Sequence, residues 1–170
     1  DKDQYGNADA FLARLTLNGR LIWATYFGGD STDEARTVAY DLNDEIVFGG
    51  FTNSDNFPVN VTDDDDREKP ESFDAFIARF DAQPTESNYL NSKLYGGKNI
   101  DRCYSLAVDG NNDIVFTGET YSTDYHIAGE VFQKIKSNKG DVFVTKINRN
   151  SRIVWSGLYG GNDDEIGRAV

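Results

Sequence analysis

Three short acidic turns hold the residues best placed to do chemistry: Asp30-Ser31-Thr32-Asp33-Glu34, Asn99-Ile100-Asp101 and Asn162-Asp163-Asp164-Glu165. Each follows a double glycine, Gly28-Gly29, Gly96-Gly97 or Gly160-Gly161. Carboxylates gathered on a loop suit Ca²⁺, which takes about 6–8 oxygen ligands. Asp30, Asp33, Glu34, Asp163 and Asp164 are the candidate calcium ligands. No turn has the glycine at position six and the distal glutamate of a calcium-binding loop, and Lys98 and Arg102 flank the second one. The plainer reading is of turns whose Asp and Asn side chains accept from nearby backbone, repeated because their element is repeated. A further acidic group, Asp63-Asp64-Asp65-Asp66 followed by Arg67-Glu68-Lys69-Pro70-Glu71, repels itself as a solvated loop does, or recruits a cation or a basic partner.

Other chemistries find less support. One cysteine, Cys103, and one histidine, His126, rule out an internal disulfide and a thiolate or imidazole zinc site. Cys103 reads as a small buried hydrophobe. A serine nucleophile would need His126 as its base, and no Gly-x-Ser-x-Gly elbow exists. The 29 acidic residues offer many glycosidase-like carboxylate pairs, but no spacing selects one. A net charge of −12 with no Lys/Arg cluster repels a phosphate backbone, which argues against nucleic acid as a partner. No apolar run approaches the ~18 residues of a membrane span, and the first residues lack the basic and apolar regions of a signal peptide.

The elements that must position these turns repeat. Asp9-Ala10-Phe11-Leu12-Ala13-Arg14-Leu15 recurs as Asp74-Ala75-Phe76-Ile77-Ala78-Arg79-Phe80 and as Asp141-Val142-Phe143-Val144-Thr145-Lys146-Ile147, at spacings of 65 and 67. Each copy is followed by an apolar segment closing in the double glycine, with Trp23 and Trp155 at equivalent places and Asn91 between them. Such tryptophans pack between repeats or stack on sugars. Two more strand-like pieces follow the glycines, 36–41 and 45–52 in one copy, 104–109 and 113–120 in the next, joined by Asn/Asp turns of hairpin type. No apolar stripe at helical spacing persists over ten residues. One unit is therefore four antiparallel strands.

Four short strands with glycine and aromatic signatures, copied at a fixed period, predict an all-β chain of β-propeller blades. The period exceeds the usual ~40–50 residues because long connections, roughly 53–73 and 121–140, separate the second strand from the third. In the Asp-Ala-Phe strand, Phe11, Ala13 and Leu15 point one way and Ala10, Leu12 and Arg14 the other, so both faces need cover.

Asp-Ala-Phe-x-Ala-Arg-Phe, the aromatic strand ending in Gly-Gly, the acidic turn, and Leu106-Ala107-Val108-Asp109-Gly110-Asn111-Asn112-Asp113-Ile114-Val115-Phe116 together resemble the seven-bladed β-propeller repeat family of bacterial secreted and surface proteins. Ile127 to Gln133 is similar to the linker before this strand in versions from type IX-secreting bacteria, and Asp30-Ser31-Thr32 resembles their short O-glycosylation motif. Asn60-Val61-Thr62 is an N-glycosylation sequon, relevant only in a eukaryotic secretory route. Pro84 with its longer turn, and the acidic insertion within 53–72, depart from the family pattern.

The resemblance implies a non-enzymatic extracellular or cell-surface scaffold that presents loops to protein or glycan, with a calcium-stabilised adhesion module or a glycan-active enzyme as alternatives. It also implies that the strand holding Val38, Leu106 and Val170 is innermost. Residues 1–34 are then the outer strands of one blade, 35–102 and 103–166 two full blades, and 167–170 the start of another. About two and a half blades cannot close a ring that takes ~4–8. The missing ones are expected from more of the same polypeptide, or else from neighbouring chains.

Overall fold

The computed structural model describes residues 6–60, 72–83, 88–131 and 139–170. Among them are ten strands and no helix: β1 (Ala10–Leu15), β2 (Leu21–Phe27), β3 (Asp33–Tyr40), β4 (Glu45–Thr52), β5 (Asp74–Asp81), β6 (Tyr89–Tyr95), β7 (Asp101–Val108), β8 (Ile114–Thr120), β9 (Asp141–Ile147) and β10 (Ile153–Tyr159). Among the described residues no helix is long and apolar enough to cross a membrane. β1 and β2 pair alone as a first sheet. β3 to β6 and β7 to β10 form a second and a third sheet, each a four-stranded antiparallel meander in chain order. The fold is all-β, a series of propeller-type blades that among the described residues does not close into a ring.

Local chemistry dictates each hairpin. In the β3–β4 turn Asp44 takes a φ of 60°, and in the β7–β8 turn Asn112 takes 64°, the left-handed region that Asp and Asn tolerate. Asp41 Oδ1 accepts from the backbone N–H groups of Asn43 and Glu45 at 2.8 and 3.0 Å. Asp109 Oδ1 does the same for Asn111 and Asp113, at 2.8 and 3.0 Å. The remaining oxygen of each aspartate meets a cation of the third strand in its own sheet: Arg79 Nη1 lies 2.9 Å from Asp41, and Lys146 Nζ 2.7 Å from Asp109. Burial works against the Asp41 carboxylate, but the two backbone donors, Asn112 and the Arg79 guanidinium hold its pKa below the ordinary value.

β3 and β7 begin at Asp33 and Asp101, three residues before the segments that strand-like composition marks. Each carries an irregularity, between Ala35 and Thr37 and between Cys103 and Ser105, which breaks the apolar alternation there. The bulged carbonyls of Glu34 and Arg102 occupy the space a Cβ would need on Gly50 and Gly118, so only glycine fits opposite them.

The core lies between sheets. Ala10, Leu12 and Phe27 of the first pack on Phe48, Phe76 and Phe80 of the second. The Phe27 ring sits 5.5 Å from Phe48 and 5.4 Å from Phe80, in tilted or edge-on contacts that aromatic pairs favour. Val47, Ala75, Ile77 and Tyr95 of the second sheet pack on Leu106, Phe116, Phe143 and Ile147 of the third. The same strands supply each joint, one repeat apart.

The long connections follow the outermost strands as far as they are described. Ala128 forms a bridge with Ser156 of β10. Asn60 adds its side chain to a backbone contact with Ser92, donating Nδ2 to the Leu90 carbonyl at 3.0 Å and accepting from Ser92 N–H at 3.0 Å. Both contacts occupy backbone groups of an edge strand that would otherwise invite pairing. The sequon's asparagine nitrogen is thereby engaged in the fold.

Candidate functional site

The double-glycine turns are densely hydrogen-bonded polar sites. Asp33 accepts from Gly29 N–H at 2.8 Å, from Ser54 Oγ at 2.8 Å, and from the Thr52 hydroxyl. Asp101 accepts from Gly97 N–H at 2.7 Å and from Ser122 Oγ at 2.6 Å. At the third turn a glutamate takes this place, with Glu165 Oε2 accepting from Gly161 N–H at 2.9 Å. The connection after the second strand clamps the rest of the turn. Asp30 N–H donates to Asn56 Oδ1 and Lys98 N–H to Asp124 Oδ1, at 2.8 and 2.9 Å. Ser31 N–H donates to Ser54 Oγ and Asn99 N–H to Ser122 Oγ, at 2.8 and 2.9 Å. The partners are Thr-x-Ser-x-Asn (Thr52, Ser54, Asn56) and Thr-x-Ser-x-Asp (Thr120, Ser122, Asp124), a pattern visible in the sequence once these copies are aligned.

Burial raises the Asp33 pKa; the Thr52, Gly29 and Ser54 donors oppose that shift, and the nearby Asp9 carboxylate adds to it. A second aspartate, from the start of the Asp-Ala-Phe strand, approaches each turn. A Cβ on Gly96 would lie 2.5 Å from Asp74 Oδ1 and 2.9 Å from Asp101 Oδ2, and one on Gly160 2.5 Å from Asp141 Oδ1 and 2.8 Å from Glu165 Oε2. The first glycine of each pair is therefore required by the carboxylates gathered over it. Asp74 and Asp101 are fully buried, away from any polysaccharide that a glycosidase pair would have to reach.

The calcium candidates separate. Asp33 points inward to its three donors, whereas Asp30 is exposed. Glu34 pairs with Arg36 on the surface. Asp163 is exposed, and Asp164 Oδ1 accepts from Gly140 N–H at 2.8 Å. Among the described residues no group of three or more His, Cys, Asp or Glu side chains is arranged to hold a metal ion.

Cys103 is fully buried between the second and third sheets. Burial pushes its thiol up to about 12, so it is protonated and unreactive at neutral pH. His126 is exposed at the mouth of a small cavity lined also by Lys93, Tyr95 and Tyr125. Trp23 donates Nε1 to the Ala82 carbonyl of the next sheet at 3.2 Å, and Arg14 donates to the same oxygen. Trp155 has no such acceptor among the described residues; it lines an open groove of about 460 Å³ with Gly129, Glu130, Val131 and Val154. The run Asp63 to Asp66, Pro84 and the end of the 127–133 linker lie outside the described residues. No family model matches the chain, and no curated protein matches it.

Proposed function

We propose that this chain is part of a non-enzymatic propeller scaffold, of the bacterial extracellular or cell-surface kind, whose repeated sheets hold connecting loops at fixed positions for binding protein or glycan. One observation carries the reading: the same strand occurs three times and is covered differently each time. β5 is buried on both faces along nearly its whole length. β1 buries Ala10 and Leu12 but exposes Phe11 and Leu15, and β9 buries Phe143 and Ile147 while Val142 and Val144 are only half covered. Only the strand with described sheets on either side is dry, and among the described residues the first and third sheets each pack on one other sheet.

The loops have the rigidity a scaffold needs, since Asn56, Asn60, Asp124 and Ala128 tie their described parts to the sheets. A binding loop ordered beforehand loses little entropy on capture. The carboxylates that do converge are buried, and the lone thiol is inert, which supports binding over catalysis. Antibody labelling of the producing cells tests the placement. Staining of intact cells that is lost on mild external proteolysis is expected, and staining only after permeabilisation would overturn it.

A further inference from the structure

The joint between the second and third sheets keeps open a space that its counterpart fills with rings. At the first joint Phe27, Phe57 and Tyr89 close together, the Phe27 ring lying 5.1 Å from Phe57 and 5.4 Å from Tyr89. Their repeat equivalents at the second joint are Tyr95, Tyr125 and Ile153. There a cavity of about 40 Å³ is lined by those three residues with Lys93, Leu94 and His126. One water needs ~10–15 Å³, so there is room for about three, or for one small polar group in their place. The walls are fixed. Tyr95 donates its hydroxyl to the Ser151 carbonyl at 3.0 Å, and the Tyr125 hydroxyl lies 3.0 Å from Thr145 Oγ1. The donors are particular to this joint. Lys93 is 5% exposed, with Nζ 5.8 Å from the centre of the Tyr95 ring. Thr25 and Gly157 hold its place in the other copies, and Pro58 holds that of His126 in the first. The double glycines, hairpin aspartates and turn clamps recur from copy to copy, whereas this cation and this imidazole do not.

Resting on the binding scaffold proposed above, we infer that this cavity takes one carboxylate group, held by the Lys93 ammonium and a ring N–H of His126. Among the described residues no acidic side chain lines it. In so enclosed a setting an ammonium attracts an anionic group more strongly than it does in water. Two donors match the two oxygens of a carboxylate. A phosphate or sulfate would turn its further oxygens onto Leu94 and Ile153, which offer no side-chain donor. The net charge of −12 is felt little, because salt screens exposed charges beyond about 8 Å. The carboxylate belongs either to a small free acid or to an acidic sugar of a glycan. A sugar ring exceeds the cavity, so from a glycan only the carboxylate enters.

The chain's single histidine makes the test specific. The Hε1 proton resonance of His126 is followed in the full chain while sodium acetate, methyl glucuronide or neutral methyl glucoside is added at fixed pH and ionic strength. A saturating shift, half complete at about 1–10 mM, is expected with both carboxylates and not with the glucoside. Acetate binding as tightly as the glucuronide assigns the site to small free acids, and tighter binding of the glucuronide assigns it to acidic sugars. Lys93→Met keeps an apolar stem in the wall and weakens either carboxylate by about tenfold or more. Ile153→Tyr restores the ring of the first joint and abolishes the shift with Lys93 still in place. An unaltered far-ultraviolet spectrum shows that each variant is folded. No saturating shift, a shift as large with the glucoside, or one that either folded variant leaves unaltered overturns the inference. Staining of intact cells depends on none of these results, so the scaffold reading and the carboxylate site fail separately.

Discussion

β5 and β9 carry the same sequence pattern in sheets of the same topology, yet β5 is dry along both faces and β9 alternates between buried and half-buried. The difference does not reside in the strand. Ala75 and Val142 are equivalent and both apolar, but Ala75 meets the third sheet, whereas among the described residues Val142 lies against Gly167 and no fourth sheet. Burial in a stacked repeat is a property of the joint, and each apolar position is stabilising only when its neighbour is present. The same comparison separates two kinds of polar site. The Asp33 and Asp101 carboxylates sit at complete joints and are buried, whereas Glu165, which takes their place in the third turn, is half-buried.

The largest expected effects break a complete joint. Phe27→Ala removes the ring around which Phe48, Phe57, Phe76 and Phe80 gather and should cost about 3–5 kcal/mol in denaturant unfolding. Tyr159→Ala, at the equivalent position of the open end, should change the dilute chain by no more than about 0.5 kcal/mol. Equal costs would show that the two ends are not distinguished by cover. The buried ion pair comes next. Arg79→Ala leaves Asp41 buried without its cation, at a cost of about 3 kcal/mol or more. Lys146→Ala, which opens a more solvated pair with Asp109 and Asp113, should cost about 1 kcal/mol or less.

A smaller effect sharpens the contrast at the turns. The raised pKa of Asp33 means that its stabilising contribution is complete below the unfolded value near 4 and is lost as pH rises through the folded value. The stability difference between the natural chain and Asp33→Asn should therefore shrink from pH 4 towards pH 8, while Asp163→Asn, at an exposed position, leaves the pH slope unaltered. A difference that grows with pH would mean that the Thr52, Gly29 and Ser54 donors outweigh burial. The smallest expected effect is that of a chelator. With Asp33 supplied by protein donors and Glu34 paired to Arg36, EDTA should leave the melting midpoint in place. A fall of several degrees would restore calcium to the turns.

Much of the fold is legible in the residues because the repeat exposes it: the Asp-Ala-Phe strand, the double glycine and the Asn/Asp hairpins recur in register and become β5, β9 and their neighbours. The starts of β3 and β7 are not legible, since a bulge places polar Asp33-Glu34 and Asp101-Arg102 inside a strand whose apolar alternation they interrupt. At the turns, grouping Asp30, Asp33 and Glu34 as one set of ligands treats the segment as loop. Once β3 starts at Asp33, adjacent side chains fall on opposite faces, so Asp33 turns inward and Glu34 outward to Arg36. Asp9, Asp74 and Asp141 reach the turns from about 20 to 30 residues away in sequence, and no local window could have joined them. Of the two roles open to the tryptophans, Trp23 packs between repeats, its Nε1 donating to the Ala82 carbonyl.

Hydroxyl-radical footprinting of the dilute chain, read residue by residue by mass spectrometry, tests the stacked-repeat account most directly. Tyr159, Phe11 and Leu15 should oxidise rapidly while their repeat equivalents Tyr95, Phe76 and Phe80 stay protected. Comparable rates within each equivalent pair would contradict it, because the sheets could not then be stacked with cover missing only at the ends.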